Sequence, residues 1–457
     1  MSVNTRDTIN ESHSEIDSDF IWGAATAAYQ IEGGAQSDGK GPSIWDDFAH
    51  RGKIKNRDTG DIACDHYHRM EADVDLMQSL GLQAYRFSIS WPRILPDGTL
   101  AGGINRSGLD FYDRLTDRLL AAGIRPFATL YHWDMPLALE RKGGWLNREI
   151  AQHMADYAAC CVSRLGDRVK DWIILNEPFV YCVLGYGIGY FPPGRIGLRK
   201  FLRASHHTLL AQGTAARAMR AANSNLILGT TISTVAGEPI SQKRAHLRAL
   251  RRHDAFFNRL YVDPVFGRGY PVQELPFLKK IERFAKPDDM EIIQYPFDFL
   301  GLNHYTRKIV RSARWLPWMG FRELKPHKAA EVTDMGWEVY PEGLYAILKE
   351  FAAYPEIPAL FITENGAAFA DTVSADGNVH DAARQRYLQE YIRMVLKAKS
   401  EGVPIKGYFV WSLLDNLEWR EGYAKRFGII HIDFASQKRT LKDSALWYRD
   451  FISKSRR

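Results

Sequence analysis

The sequence predicts an α/β fold of the (β/α)8 barrel type. Three observations lead there. Eight short apolar runs recur along the chain, stretches of helical period separate several of them, and residues able to do chemistry stand at the ends of the runs. Near-continuous apolar strands alternating with helices argue for a parallel sheet covered on both faces. A doubly wound sheet fits less well, because no glycine-rich phosphate turn follows the first run.

In chain order the runs are 20–23, 84–89, 125–130, 172–175, 226–229, 299–302, 360–363 and 407–411. Between them, 71–80 has a helical period and ends at Gly81, where a C-terminal cap belongs. The stretch 109–122 does the same before Gly123. Two longer insertions, 238–294 and 307–340, mix basic residues with aromatics, Trp315 and Trp318 among them. They read as surface loops pinned by aromatics that form the rim of an entrance. No internal boundary stands out, so 19–457 is expected to be one barrel. Residues 1–18 are polar and charged, without the apolar centre of a signal peptide, and are expected to be a disordered tail.

Composition narrows the class. With 457 residues, 46% hydrophobic and 12% aromatic, the chain can bury a large core without disulfides or metal. Its net charge of +6 is mixed along the sequence rather than blocked, which speaks against a nucleic-acid binder. No apolar run reaches the roughly 18 residues a bilayer span needs. Cys64, Cys160, Cys161 and Cys182 show no C-x-x-C spacing, so neither zinc nor a redox dithiol is indicated. The expectation is a soluble, cytoplasmic protein with no cofactor, no metal, no nucleic-acid partner and no membrane partner; self-association is left open.

The chemistry gathers in two stretches. Leu360-Phe361-Ile362-Thr363 runs into Glu364, and Trp172-Ile173-Ile174-Leu175 runs into Asn176-Glu177-Pro178. A carboxylate at the tip of a buried strand is costly unless hydrogen-bonded or useful. Each motif alone is as often a strand followed by a tight turn, with Asn365-Gly366 bending the chain in one and Pro178 ending the strand in the other. Two such carboxylates at one barrel mouth are the equipment for cleaving a glycoside. Gln30, Arg86, His132-Trp133, Asn303, Tyr305 and Trp411 stand at or just past the other strand ends. His66, His68, His206 and His207 lack a metal-ligand pattern and read as structural. No HExxH, GxxxxGK[ST] or GxSxG motif is present.

Five separated motifs resemble glycoside hydrolase family 1, the β-glucosidase family. They are Phe20-Ile21-Trp22-Gly23 with Tyr29-Gln30-Ile31-Glu32-Gly33, Tyr131-His132-Trp133-Asp134, Asn176-Glu177-Pro178, Ile362-Thr363-Glu364-Asn365-Gly366, and Trp411-Ser412-Leu413-Leu414-Asp415-Asn416-Leu417-Glu418-Trp419. The resemblance implies a retaining exo-β-glycosidase acting on small β-glucosides through a covalent glycosyl-enzyme. It implies Glu364 as nucleophile, Glu177 as acid/base, and Arg86, Tyr305 and Asn303 as supports of the nucleophile. It implies Gln30, His132, Trp133, Asn176, Glu418 and Trp419 as sugar ligands, with Trp411 as a stacking platform. Glu418 argues against 6-phosphorylated substrates, whose phosphate a carboxylate would repel. Departures from the family pattern are His304 for Tyr, Leu417 for Phe, Ile174 for Thr, and Tyr190-Phe191-Pro192-Pro193-Gly194 at an entrance turn. A 6-phospho-β-glycosidase or transglycosylase on the same scaffold, and a sugar-binding barrel without catalysis, remain as alternatives.

Overall fold

The computed structural model describes residues 19–316 and 318–455; the tail expected over 1–18 lies outside them. Its strands are β1 Ile21–Ala25, β2 Ala84–Ser88, β3 Arg125–Tyr131, β4 Asp171–Asn176, β5 Ile227–Pro239, β6 Phe299–Ser312, β7 Phe321–Leu324, β8 Leu360–Asn365, β9 Ile405–Trp411, β10 Ile430–Asp433 and β11 Lys438–Leu441. Neighbours run β5-β4-β3-β2-β1-β9-β8-β6, and β5 also pairs with β6. The eight strands are therefore a closed parallel barrel. β7 is an antiparallel addition on the outer part of β6, and β10 and β11 form a separate hairpin.

The surrounding helices are α1 His66–Ser79, α2 Arg106–Ala121, α3 Ile150–Leu165, α4 Leu198–Ala222, α5 Arg244–Asp254, α6 Pro341–Ala352, α7 Ala382–Ser400 and α8 Asp443–Ser455. Their alternation with the strands is the (β/α)8 architecture expected from the sequence. Gly81 and Gly123 follow α1 and α2 at φ +66° and +73°, the left-handed backbone that a glycine stop supplies.

Two cores result. The larger lies between barrel and helices. The smaller fills the barrel, where Phe127 meets Phe409 at 4.9 Å and Phe361 at 5.6 Å, and Phe299 meets Phe361 at 5.0 Å. This aromatic plug is the floor on which the polar residues at the strand ends stand.

The strands differ from expectation in length. The fifth and sixth runs, read as ending at 229 and 302, continue as strands to Pro239 and Ser312. The polar and charged residues that hid this continuation lie above the barrel and bond to each other as strands. Part of each insertion is thus ordered sheet, not loop.

Candidate active site

Register irregularities fall where the chemistry is. β4 slips against β5 between Ile173 and Asn176, β6 against β8 between Leu302 and Asn303, and β8 against β9 between Ile362 and Asn365. Such irregularities re-aim side chains at a barrel mouth. Glu177 follows with φ +50°, a left-handed turn, and Pro178 then opens a short helix to Cys182. Trp133 and Trp419 share this backbone, at φ +78° and +45°. Such conformations in non-glycine residues persist where the surroundings hold them, and they cluster at functional sites.

These turns face a cleft of about 310 Å³, lined among others by His132, Trp133, Asn176, Glu177, Tyr305, Glu364, Trp411, Glu418 and Trp419. Nine of the twelve expected site residues are thus on its wall. Arg86 and Asn303 stand just behind it, fully buried, and reach the two glutamates by hydrogen bonds. Gln30 is buried beside them and donates to Asn416 Oδ1 at 3.0 Å and to the Leu417 carbonyl at 2.9 Å.

The two glutamates are bonded differently. Arg86 Nη1 donates to Glu364 Oε1 at 2.6 Å, and the Tyr305 hydroxyl donates to Oε2 at 2.6 Å. Glu177 Oε1 accepts from Asn303 Nδ2 at 2.7 Å. Asn176 links the two halves: its Oδ1 accepts from Arg86 Nη2 at 2.6 Å and from Asn303 Nδ2 at 3.0 Å. His132 Nε2 lies 2.9 Å from Asn176 Nδ2 and Trp133 Nε1 donates to the Asn176 carbonyl at 2.9 Å.

Asn303 reaches both glutamates. It pairs with Glu364 in backbone register and its side chain helps to hold that carboxyl down, while its amide also donates to Glu177. Thr363 orients it, with a hydroxyl that donates to Asn303 Oδ1 at 2.7 Å. That bond turns the NH2 group toward the end of β4.

Electrostatics follow the bonding. Burial, and then the charge of Glu364, push Glu177 up to about 8. Burial also raises Glu364, while Arg86 and Tyr305 act in the opposite direction. Arg86 and Tyr305 favour the ionised form of Glu364, as expected, against the desolvation that a carboxyl at a buried strand tip meets. Glu418 is pushed up to about 8 by burial and by Glu364 and Glu421. Burial and then the charge of Arg86 hold His132 well below the usual histidine value, so it is a neutral ring at physiological pH.

Several buried polar atoms have no hydrogen-bond partner among the described residues: Gln30 Oε1, His132 Nδ1 and Glu418 Oε2. A buried unpaired polar atom is costly. Three at one mouth, beside the Trp411 and Trp419 rings, are what a polyhydroxylated ring with an apolar face would satisfy. Trp337 and Met335 also line the cleft. Sequence reasoning did not single them out, though both lie in the insertion read as the entrance rim. Of the four histidines read as structural, His66 pairs with Asp73 at 2.8 Å, His68 with Asp65 at 2.6 Å, His206 with Asp289 at 2.7 Å, and His207 with the Trp145 carbonyl at 3.0 Å. His304, where the family has Tyr, is buried at 3.1 Å from the Thr234 hydroxyl and does not line the cleft.

A barrel whose mouth joins two unlike, coupled carboxyls to unsatisfied groups suited to hydroxyls defines a hydrolase of the glycosidase class. The chain belongs to glycosyl hydrolase family 1, whose model matches residues 12–457. It is 47% identical over 441 residues to β-glucosidase A of Thermotoga maritima, covering 95% of this chain and 96% of that protein. It is 45% identical over 435 residues to a 1,4-β-D-glucan glucohydrolase of Thermotoga neapolitana, covering 95% and 97%. The solved structure of the Thermotoga maritima β-glucosidase in complex with glucoimidazole matches with a TM-score of 0.91 at 47% identity, covering 96% of this chain and 98% of that one. Among the described residues, no helix is long and apolar enough to cross a membrane.

Proposed function

We propose that this protein is a retaining β-glucosidase that releases the non-reducing terminal β-D-glucosyl residue of small glucosides. The observation that carries the reading is the unequal bonding of the glutamates. Glu364 has a guanidinium and a phenol on its two oxygens, whereas Glu177 has one neutral amide. The first proton of the pair therefore leaves Glu364. Glu364 attacks the anomeric carbon as a carboxylate while Glu177, still protonated, donates to the leaving oxygen. Once Glu364 is a glycosyl ester its charge is gone and Glu177 becomes more acidic. Glu177 then deprotonates the water that releases glucose and frees Glu364.

The sugar ligands in this reading are Gln30, His132, Asn176, Glu418 and Trp419, with Trp133 and Trp411 as the apolar walls. Two gaps in the internal bonding support it: Gln30 Oε1 and Glu418 Oε2 each leave an acceptor for a sugar hydroxyl. A cytoplasmic location is part of the proposal, supported by four free, buried cysteines.

The test is release of p-nitrophenol from β-glucoside, β-galactoside, β-fucoside, β-mannoside and 6-phospho-β-glucoside. Wild type should turn over the β-glucoside fastest, and Glu364→Ala should abolish turnover while remaining folded. Glu177→Ala should retain more activity on aryl glucosides with good leaving groups than on alkyl glucosides, since the former need little protonation. Equal losses on both would remove Glu177 from the acid role, and turnover of the phosphorylated substrate alone would overturn the use made of Glu418.

A further inference from the structure

Past Glu177 the cleft changes character. Gln30 and Glu418 belong to the β1 and β9 side of the barrel. Glu177, which protonates the leaving group in the reading above, follows β4. The leaving group therefore lies toward the β4–β6 side. There the wall is mostly apolar, with Val180 and Leu184 after β4, Val235 on β5, and Met335 and Trp337 after β7, beside the hydroxyls of Ser233, Thr234 and Thr306. One cation interrupts it, Lys308 on β6.

Lys308 is poorly neutralised. Its Nζ stands 3.9 Å from Glu323 Oε2, at the outer limit of an ion pair. The other Glu323 oxygen is engaged by His253 Nε2 at 3.0 Å. The flank behind Lys308 is basic as well. α5 packs on the β6–β7 hairpin, where the Ser312 amide donates to His246 Nδ1 at 3.1 Å. Arg248 and Arg251 on the helix and Arg311 and Arg322 on the hairpin are exposed. A cation that is weakly paired and set in an apolar wall attracts a ligand of the opposite sign.

We infer that the leaving-group end is a binding site for an anionic aglycone: an aromatic or aliphatic body carrying a carboxylate or similar group, with Lys308 as its counter-ion. The inference rests on the β-glucosidase reading. The apolar wall takes the body of the aglycone, and Lys308 selects for the charge.

The test is the ratio of kcat/KM for 4-carboxyphenyl over 4-carbamoylphenyl β-D-glucoside, two aryl glucosides of similar size. The wild-type ratio should exceed that of Lys308→Met by about 3- to 10-fold at low salt, as for a partly exposed ion pair, and the excess should shrink at high ionic strength. The difference in leaving group is the same in both proteins, and Lys308→Arg should keep the wild-type ratio. Because it is a ratio, a general loss of activity in a variant cancels. A ratio unchanged in Lys308→Met, or insensitive to ionic strength, overturns the anionic site. Failure to cleave either glucoside overturns the β-glucosidase reading beneath it.

Discussion

Glu177 and Glu364 show how two identical side chains acquire different tasks. Desolvation raises both, so difference must come from neighbours. Glu364 faces Arg86 and Tyr305; Glu177 faces the charge of Glu364 itself, and Asn303 bonds to both. Such titrations belong to the pair, and removing one member should reveal it. Glu364→Gln deletes the charge that raises Glu177, so Glu177 should titrate lower in the variant than in wild type. Carbon NMR of labelled glutamate side chains reads this directly, and an unchanged Glu177 would mean that burial alone sets its value. Asn303 works in the other direction, because its amide lowers Glu177. Asn303→Ala should therefore move the alkaline limb of the kcat/KM profile to higher pH. A shift to lower pH would show that Asn303 does not stabilise the charged form.

At the scale of the element, the ends of β8 and β9 are held in very close approach. A Cβ built on Gly366 would lie 1.7 Å from the Trp411 carbonyl oxygen, which no side chain could accept without moving backbone. The sequence reading took Asn365-Gly366 for a turn pair. In the structure β8 includes Asn365, whose Nδ2 donates to the His304 carbonyl at 2.6 Å and whose Oδ1 accepts from the Tyr408 hydroxyl at 2.7 Å. The glycine is there for proximity, since its φ is not positive. Gly366→Ala should part the two strand ends, destabilise the fold by about 1–3 kcal/mol as overpacking does, and lower kcat, because Glu364 is two residues away. Thermal melts and kinetics on the same sample check both effects; a variant with wild-type Tm and kcat would mean that the contact relaxes freely. The episode shows what was legible. Strand positions, barrel closure and the identity of the polar residues at the mouth could be read, because apolar runs ending in Glu, Asn or His are local patterns. Which atom each side chain serves could not, because Thr363 orienting Asn303, or Trp411 crowding Gly366, depends on register between strands distant in sequence. The outward extensions of β5 and β6 were missed for a related reason: they pair above the core, where the apolar signal fades.

For the molecule as a whole, the site is a place where folding stability is given up. Glu177 and Glu418, each pushed up to about 8, and Glu364, also raised, meet at one mouth, where Arg86 is the guanidinium bonded to Glu364. Between the ordinary carboxyl value of 4.5 and about 8, folded Glu177 holds a proton that the unfolded chain has lost. Stability therefore falls as pH rises through that window. Elsewhere the sign is opposite. Asp415 is lowered because Lys442, Arg384 and Arg426 outweigh its burial; its Oδ1 lies 2.7 Å from Lys442 Nζ, and its contribution disappears in acid. The rigid barrel and its charge pairs thus hold in place a mouth that would be more stable with fewer carboxyls, the usual cost of a preorganised site. Glu177→Gln keeps the shape and the acceptor for Asn303 but cannot ionise. It should raise Tm by roughly 2–4 °C near pH 8, on the scale of about 2–4 kcal/mol for a chain of this length, and by much less near pH 5, where the wild type has crossed only the start of that window. An equal gain at both pH values would show that the stabilisation comes from packing and not from a buried charge, and would remove the electrostatic account of how Glu177 keeps its proton.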